Sequence, residues 1–385
     1  MNVSSNSKIP VLKENRKYIE FGALILLAAA LIWWFGRSLD WTQVKAALRR
    51  SDWRLIGVAC VIIGIAYLFR ALRWRAFLSP LTKASLGEIW IATTVGFGAV
   101  LLVGRMGEVV RPVVLPMRDR RVRPAASFVT IMVERIYDSM TVVFIFAVNL
   151  LWFRPSAGNT AAFLHVRQFG LLLVLLGTIG MAALILFRIK SQSVIVWVEG
   201  LFNKWPRIPG RVRKAVLSLL DQLARALKVL SHPRDLAVTV GWTLLLWGSV
   251  VIGNLFVFRA FDLQVSGRPF GVTESLFILG WSMVGSAVPT PGGAAGAFHA
   301  ATGAGLFFVG IEPAQAAAVA IVLHLVDFGP AALFGLFYFL RGDVNLTQLR
   351  NLTKSEAVEH AVEDEKIAID DPANEMRTAG ANDLI

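Results

Sequence analysis

Apolar blocks long enough to cross a bilayer constrain this chain more than any other feature. About 20 consecutive apolar residues let a helix span the hydrocarbon core. Six blocks reach that length: Tyr18–Gly36, Trp53–Ala71, Phe128–Phe153, Phe169–Phe187, Leu236–Phe258 and Ala314–Leu340. Two weaker blocks, Ile89–Gly104 and Leu276–Val309, are interrupted by glycine. The first runs into GRMGEVVRP, and Pro289-Thr290-Pro291-Gly292-Gly293 splits the second. Pro289 and Pro291 remove two backbone donors, while Gly292, Gly293 and Gly296 permit a tight turn. The blocks predict an all-α polytopic integral membrane protein with about six full transmembrane helices. The two weak blocks are expected to be re-entrant broken-helix hairpins in an inverted repeat, a recurring transporter design. For 276–309 the alternative is a proline-kinked pair of ordinary helices packed through small residues.

Only 17% of the residues are charged and 56% are hydrophobic, against roughly 25% charged in a soluble domain. That excludes a soluble globular enzyme and a disordered chain. The single cysteine, Cys60, excludes an intrachain disulfide and a cysteine-cluster metal site. Residues 1–17 read as a cytoplasmic tail, 18–341 as the transmembrane domain, and 342–385 as an acidic disordered tail with ten acids and four bases. Tyr18–Gly36 ends in Trp33, Trp34 and Arg37 without a small-residue cleavage site, so it reads as an uncleaved anchor. Arginine and lysine set the orientation. With the N-terminus inside and both hairpins returning to their own side, 29 basic residues fall inside and 9 outside. The inside segments include 70–87, 105–123 and 188–234. The basic body suits anionic lipid headgroups and not nucleic acid.

Two segments read as surface helices. In 212–230, apolar Val212, Val216, Leu219, Leu220, Leu223, Leu227 and Leu230 recur at three and four, opposite Lys214, Asp221, Arg225 and Lys228. Trp41, Val44 and Leu48 form a shorter stripe. Either is a connecting helix packed on the bundle or a lipid-sensing one.

Ionisable residues at membrane depth are costly and usually face a cavity or one another. Three sets stand out. Arg105, Glu108 and Arg111 are spaced by three and share a helical face. Glu108 can pair with one arginine and leave the other to hold a phosphate through its planar fork; alternatively the cluster only fixes sidedness. Glu134 and Asp138 share a face, with Arg135 between them in sequence, as an ion lock or as partners of the first set. His299, His324 and Asp327 are candidate proton-linked groups or interhelical hydrogen-bonding contacts. No metal site and no catalytic group is read from the sequence, and no cofactor is implied.

The strings GRMGEVVRPVVL, VERIYDSM, PTPGGAAGAFHAA and LHLVDF, in that order, resemble the lysylphosphatidylglycerol synthase transmembrane-region family, also called flippase-like or UPF0104. The resemblance covers about residues 20–340. It implies a membrane domain with two re-entrant elements; the expected location is a bacterial plasma membrane, and the basic-residue count puts both termini on the cytoplasmic side. In larger synthetase/flippase proteins such a domain moves aminoacylated lipid between leaflets, and some relatives are described as polyprenyl-phosphate sugar synthases. Carried onto this chain, the motifs fall on Gly104, Arg105, Gly107, Glu108 and Arg111, on Glu134, Arg135 and Asp138, and on Pro291, Gly292 and Gly293. Where relatives often carry a glutamate and an arginine, this chain has His299 and His324. About 45 residues follow the last block, too few for a soluble aminoacyl-transfer domain. No G-x-x-x-x-G-K-[ST] occurs.

The leading expectation is a translocase for a phospholipid or a polyprenyl-phosphate-linked lipid. The alternatives are a polyprenyl-phosphate-dependent glycosyltransferase and an accessory subunit of an envelope-synthesis complex docking through the acidic tail.

Overall fold

The computed structural model describes residues 40–79, 81–153, 160–204, 210–226, 233–288 and 291–341. Two expected features, the Tyr18–Gly36 block and the 342–385 tail, lie outside them. The described residues up to Phe337 form one compact unit, and 338–341 group with a second.

The described chain is almost entirely helical. Asp40 caps α1 (Trp41–Arg50) by accepting from the N–H groups of Thr42 and Gln43. Val44 is buried and Leu48 packs against the same core cluster while Trp41 stays exposed, so this stripe packs on the bundle by two of its three residues. Asp52 caps α2 (Trp53–Leu78) through the Arg54 N–H. Ile56, Ala59, Ile63, Ala66, Trp74 and Phe77 make its buried face, and Val58, Val61, Ile65 and Leu68 are exposed on the other. An apolar helix with an exposed apolar face suits a lipid surround. The expected block ended at Ala71, but no breaker occurs before Ser79-Pro80, and the helix continues two further turns. Arg70 and Arg73, read from the sequence as loop charges that fix sidedness, therefore lie on a packed helix.

The first weak block is a helical hairpin. Helix α3 (Leu86–Val103) runs into a 3-10 turn (Gly104–Val109) and α4 (Val110–Arg118). A Cβ on Gly96 would lie 2.7 Å from Arg111 Cβ, and one on Gly107 would lie 2.4 Å from the backbone of Ala99 and Val100. Contacts of this register, falling along one arm as they rise along the other, mean that the two arms are antiparallel. The hairpin's ends meet. Arg118 pairs with Glu88, and Asp119 accepts from the Ser85 N–H at 3.4 Å.

Helix α5 (Pro124–Trp152) carries Glu134, Arg135 and Asp138. It is followed by α6 (Thr160–Ile189), α7 (Ser191–Lys204), α8 (Gly210–Ala226) and α9 (Pro233–Ala260). Helix α8 covers the expected 212–230 stripe as far as Ala226 and packs on α5 and α7. Its Leu223 meets the Phe77, Val129, Val133 and Tyr137 cluster, while Val212 and Leu219 of the same stripe are exposed. Helix α9 lies along α2, where Gly253 admits Ile63. A two-stranded hairpin, β1 (Gln264–Val265) and β2 (Arg268–Pro269), follows; Ser266 and Gly267 take the positive φ that a tight two-residue turn requires.

The second weak block also doubles back, as α10 (Val272–Ala287) and α11 (Pro291–Phe308). A Cβ on Gly285 would sit 2.6 Å from Ala297 O, Ser282 and Thr302 share a 2.8 Å hydrogen bond, and Gly305 faces Trp281. Pro289 and Thr290, at the expected turn, lie outside the described residues, and Gly296 is buried. The left-handed residue near this turn is not a glycine: Ala294 has φ 63°. The final helix α12 (Pro313–Leu340) is capped by Glu312 and packs on α3, where Gly335 lies against Thr94 O.

Four described helices are long and apolar enough to cross a membrane: Trp53–Leu78, Phe163–Ile189, Arg234–Ala260 and Pro313–Tyr338. They carry four of the six expected blocks. The Phe128–Phe153 block lies on α5, which has the length, 29 residues, but is interrupted by its three ionisable side chains.

Candidate functional site

Arginines of α2 and α4 converge on carboxylates of α5. One-turn spacing puts Glu134 and Asp138 on one face of α5, and Arg70 and Arg73 stand one turn apart on α2. Arg73 lies 2.6 Å from Asp138 Oδ1 and 3.4 Å from Glu134 Oε1. Arg111 donates to Glu134 Oε1 at 2.7 Å and stacks 4.1 Å over the Trp74 ring, whose Nε1–H donates to Thr130 Oγ1. Both guanidiniums are buried, so these short contacts are what keep the carboxylates of α5 charge-compensated away from water.

The other two arginines are held more loosely. The nearest carboxylate to Arg70 is Asp138 at 3.4 Å, and the nearest to Arg135 is Glu108 at 3.6 Å. Their side chains are 12% and 31% exposed. Each keeps an Nε without a hydrogen-bond partner among the described residues, as Arg73 and Arg111 also do, so what separates the two pairs is distance and exposure. Phe97 of α3 is set among three guanidiniums, those of Arg70 (4.6 Å), Arg135 (5.4 Å) and Arg111 (5.6 Å), so aromatic faces replace part of the lost hydration.

Arg70 and Arg135 open onto a cavity of about 260 Å³ between the two hairpins, α2, α5, α9 and α12. Its polar wall also carries Glu108, Asp138, Ser139 and Asp327; its apolar wall includes Leu246, Val250, Leu279, Met283, Phe298 and Phe328. The Asp327 Oδ1 and the Trp247 Nε1–H, both on this wall, have no hydrogen-bond partner among the described residues.

The structure thus redistributes the expected sets. Glu108 pairs with Arg135 across elements, not with Arg111 on its own face, because the GRMGEV segment is a 3-10 turn. Arg111 is buried in the ion network and is not on the cavity wall. The side chain of Arg105 lies outside the described ones. His299 and His324 have ring centroids 4.9 Å apart, and His324 packs on Phe298 and Phe328, so the pair lies behind the cavity wall while Asp327 is on it. The Asp327 backbone carbonyl accepts from Tyr67 Oη at 2.8 Å. Among the described residues, no group of three or more His, Cys, Asp or Glu side chains lies close enough to share a metal ion. Arg70 and Arg73 were missed as site residues. Their signal was the i, i+3 spacing inside an unbroken helical run flanked by Tyr67 and Trp74.

The sequence matches the Lysylphosphatidylglycerol synthase TM region family over residues 21–335. It is 23% identical over 345 residues to a UPF0104 membrane protein of Pyrococcus horikoshii, covering 83% of this chain and 95% of that protein. It is also 23% identical over 355 residues to the glycosyltransferase AglD of Haloferax volcanii, covering 84% of this chain but only 54% of that protein, about half its length. No solved structure matches. A match over most of the ion network, both hairpins and all four long apolar helices places the chain in the lysylphosphatidylglycerol synthase transmembrane-region family.

Proposed function

We propose that this protein is a translocase for a phospholipid or a lipid-linked headgroup, whose phosphate is held by Arg70 and Arg135 in the cavity between the two hairpins. The observation that carries this reading is the contrast within one ion network. Arg73 and Arg111 are committed to carboxylates at 2.6 and 2.7 Å, whereas Arg70 and Arg135 make only long contacts and face a cavity with an extensive apolar wall. A guanidinium with free N–H groups in a site of low dielectric is suited to a phosphate fork. Pockets for drug-sized ligands run about 300–1,000 Å³, so a cavity near 260 Å³ fits a headgroup with the acyl chains left outside.

In this reading both hairpins are re-entrant and form an inverted pair that opens alternately to the two sides of a plasma membrane, with both termini cytoplasmic. Arg105, Glu108, Arg111, Glu134 and Asp138 shape the binding network, and His299, His324 and Asp327 link it to protons. The test is lipid movement in vesicles containing the purified protein. Arg70→Gln together with Arg135→Gln should abolish exchange of a headgroup-labelled phospholipid between leaflets while the protein stays folded; unchanged exchange would overturn the reading.

The likeness to a protein named a glycosyltransferase supports a second reading, transfer of sugar from a polyprenyl-phosphate donor. Release of polyprenyl phosphate from such a donor by the purified chain would favour it over translocation.

A further inference from the structure

We infer that helices α7 and α8 form an elbow that docks on the headgroup layer of an anionic phospholipid bilayer. This surface lies outside the arginine cavity and does not depend on the translocase reading. Its depth follows from the helices beside it. Helix α6 is long and apolar enough to cross a membrane and ends at Ile189; α7 starts two residues later, at Ser191. Leu223 of α8 packs in one cluster with Phe77, in the last turn of α2, and with Leu184 and Phe187, near the end of α6. Val129, near the start of α5, belongs to the same cluster. The elbow therefore sits where α2 and α6 end and α5 begins, at the level of headgroups.

Helix α7 has no buried residue. Val194, Ile195, Val198 and Phe202 are half-buried on one side. At 3.6 residues per turn, Val196, Trp197, Gly200, Leu201 and Lys204 share another. There Val196, Trp197 and Leu201 are 65%, 66% and 43% exposed. The charge selects the occupant. Residues 188–226 hold eight bases and two acids, and one of those acids, Glu199, is paired with Arg213 at 3.0 Å. Exposed Lys190 and Lys204 bracket the stripe. An apolar stripe with a tryptophan, flanked by lysines, is the pattern of a helix lying in the interface plane, its bases among the headgroups and its apolar side chains just below them. A second copy presenting this same face would bring like charge against like, whereas an anionic leaflet complements it.

The test places a polarity-sensitive fluorophore on Leu201→Cys in the full chain with Cys60→Ala, reconstituted in nanodiscs. Gln192→Cys, on the opposite side of α7, is the control. In discs containing phosphatidylglycerol, the label at 201 should shift to the blue and be quenched by a nitroxide carried on a lipid close to its headgroup. In phosphatidylcholine discs it should do neither, and the label at 192 should stay in water in both. Lys190→Gln and Lys204→Gln should each lower the docked-to-undocked ratio in phosphatidylglycerol about fivefold. Raising salt from about 0.1 M to about 1 M, which shortens the screening length to ~3 Å, should release the label. Equal quenching in the two lipids would show apolar contact without charge recognition and overturn the inference, as would no quenching in either. A blue shift without lipid quenching would assign the stripe to a second copy of the chain and overturn it too.

Discussion

Glu134 Oε1 is the point on which four guanidiniums converge: Arg111 at 2.7 Å, Arg73 at 3.4 Å, and Arg70 and Arg135 at 4.0 Å each. Removing one partner from a buried ion pair costs about 3–5 kcal/mol, because the charge left behind has no solvent to compensate it. Glu134→Gln should therefore lower thermal stability in detergent by an amount in that range. The arginines divide by role. Arg111→Lys loses both the short bond and the stacking on Trp74, so it should destabilise the fold. Arg70→Lys keeps a charge near Asp138 and should leave the melting temperature nearly unchanged while weakening phospholipid binding, since an ammonium lacks the planar fork. A binding assay beside a melting curve separates the two. If Arg70→Lys moved only the melting temperature, its role would be structural.

At the scale of elements, each hairpin depends on a backbone approach that a side chain would block. Gly107→Ala puts a methyl 2.4 Å from the α3 backbone, where no flexible atom can yield. It should open the first hairpin and lower expression of folded protein, scored by monodispersity on a sizing column. Ala294 is the converse case. Its φ of 63° is strained for an L-residue, and Ala294→Gly should stabilise the second hairpin by up to about 1 kcal/mol. Outside the membrane, the first hairpin is closed by Asp119, which accepts from Arg121 Nε at 2.8 Å and from the Ser85 N–H. Bonding to Arg121 holds this carboxyl down to about 2 from an ordinary value of 3.8. A group depressed on folding adds stability above its unfolded value and loses it as pH falls through the folded one. Melting temperature should thus decline between about pH 4 and 2, and Asp119→Asn should make that decline shallower. The effect is small, because Arg121 is largely exposed and screened.

Over the whole molecule, the apolar surface follows the long helices. Leu171, Leu172, Leu175, Leu176 and Ile179 on α6 are all exposed, as are Leu333, Leu336 and Phe337 on α12, as expected of surfaces that face lipid. The topology proposed above puts the turn at Ser266 outside and Ser191 inside. In a Cys60→Ala background, an impermeant thiol reagent applied to intact cells should label Ser266→Cys and spare Ser191→Cys. Labelling of both, or of Ser191→Cys alone, would reverse the assignment of sides.

The sequence by itself determined the helical class, the existence and place of four long apolar helices, though two of them run seven to nine residues past the expected blocks, and the two places where the chain doubles back. These follow from block length and from breakers such as Gly107 and Pro291, which act locally. It also marked Glu134, Arg135 and Asp138, since charges in an apolar run must find partners. Tertiary structure alone decided who those partners are. Arg70 and Arg73 looked like loop charges because sidedness and pairing predict the same residue types at a helix end. Arg111 looked like a ligand group until the antiparallel hairpin brought it 2.7 Å from a carboxylate 23 residues away. Which arginines stay available to a ligand depends on distances across four helices, and local spacing carries no information about those.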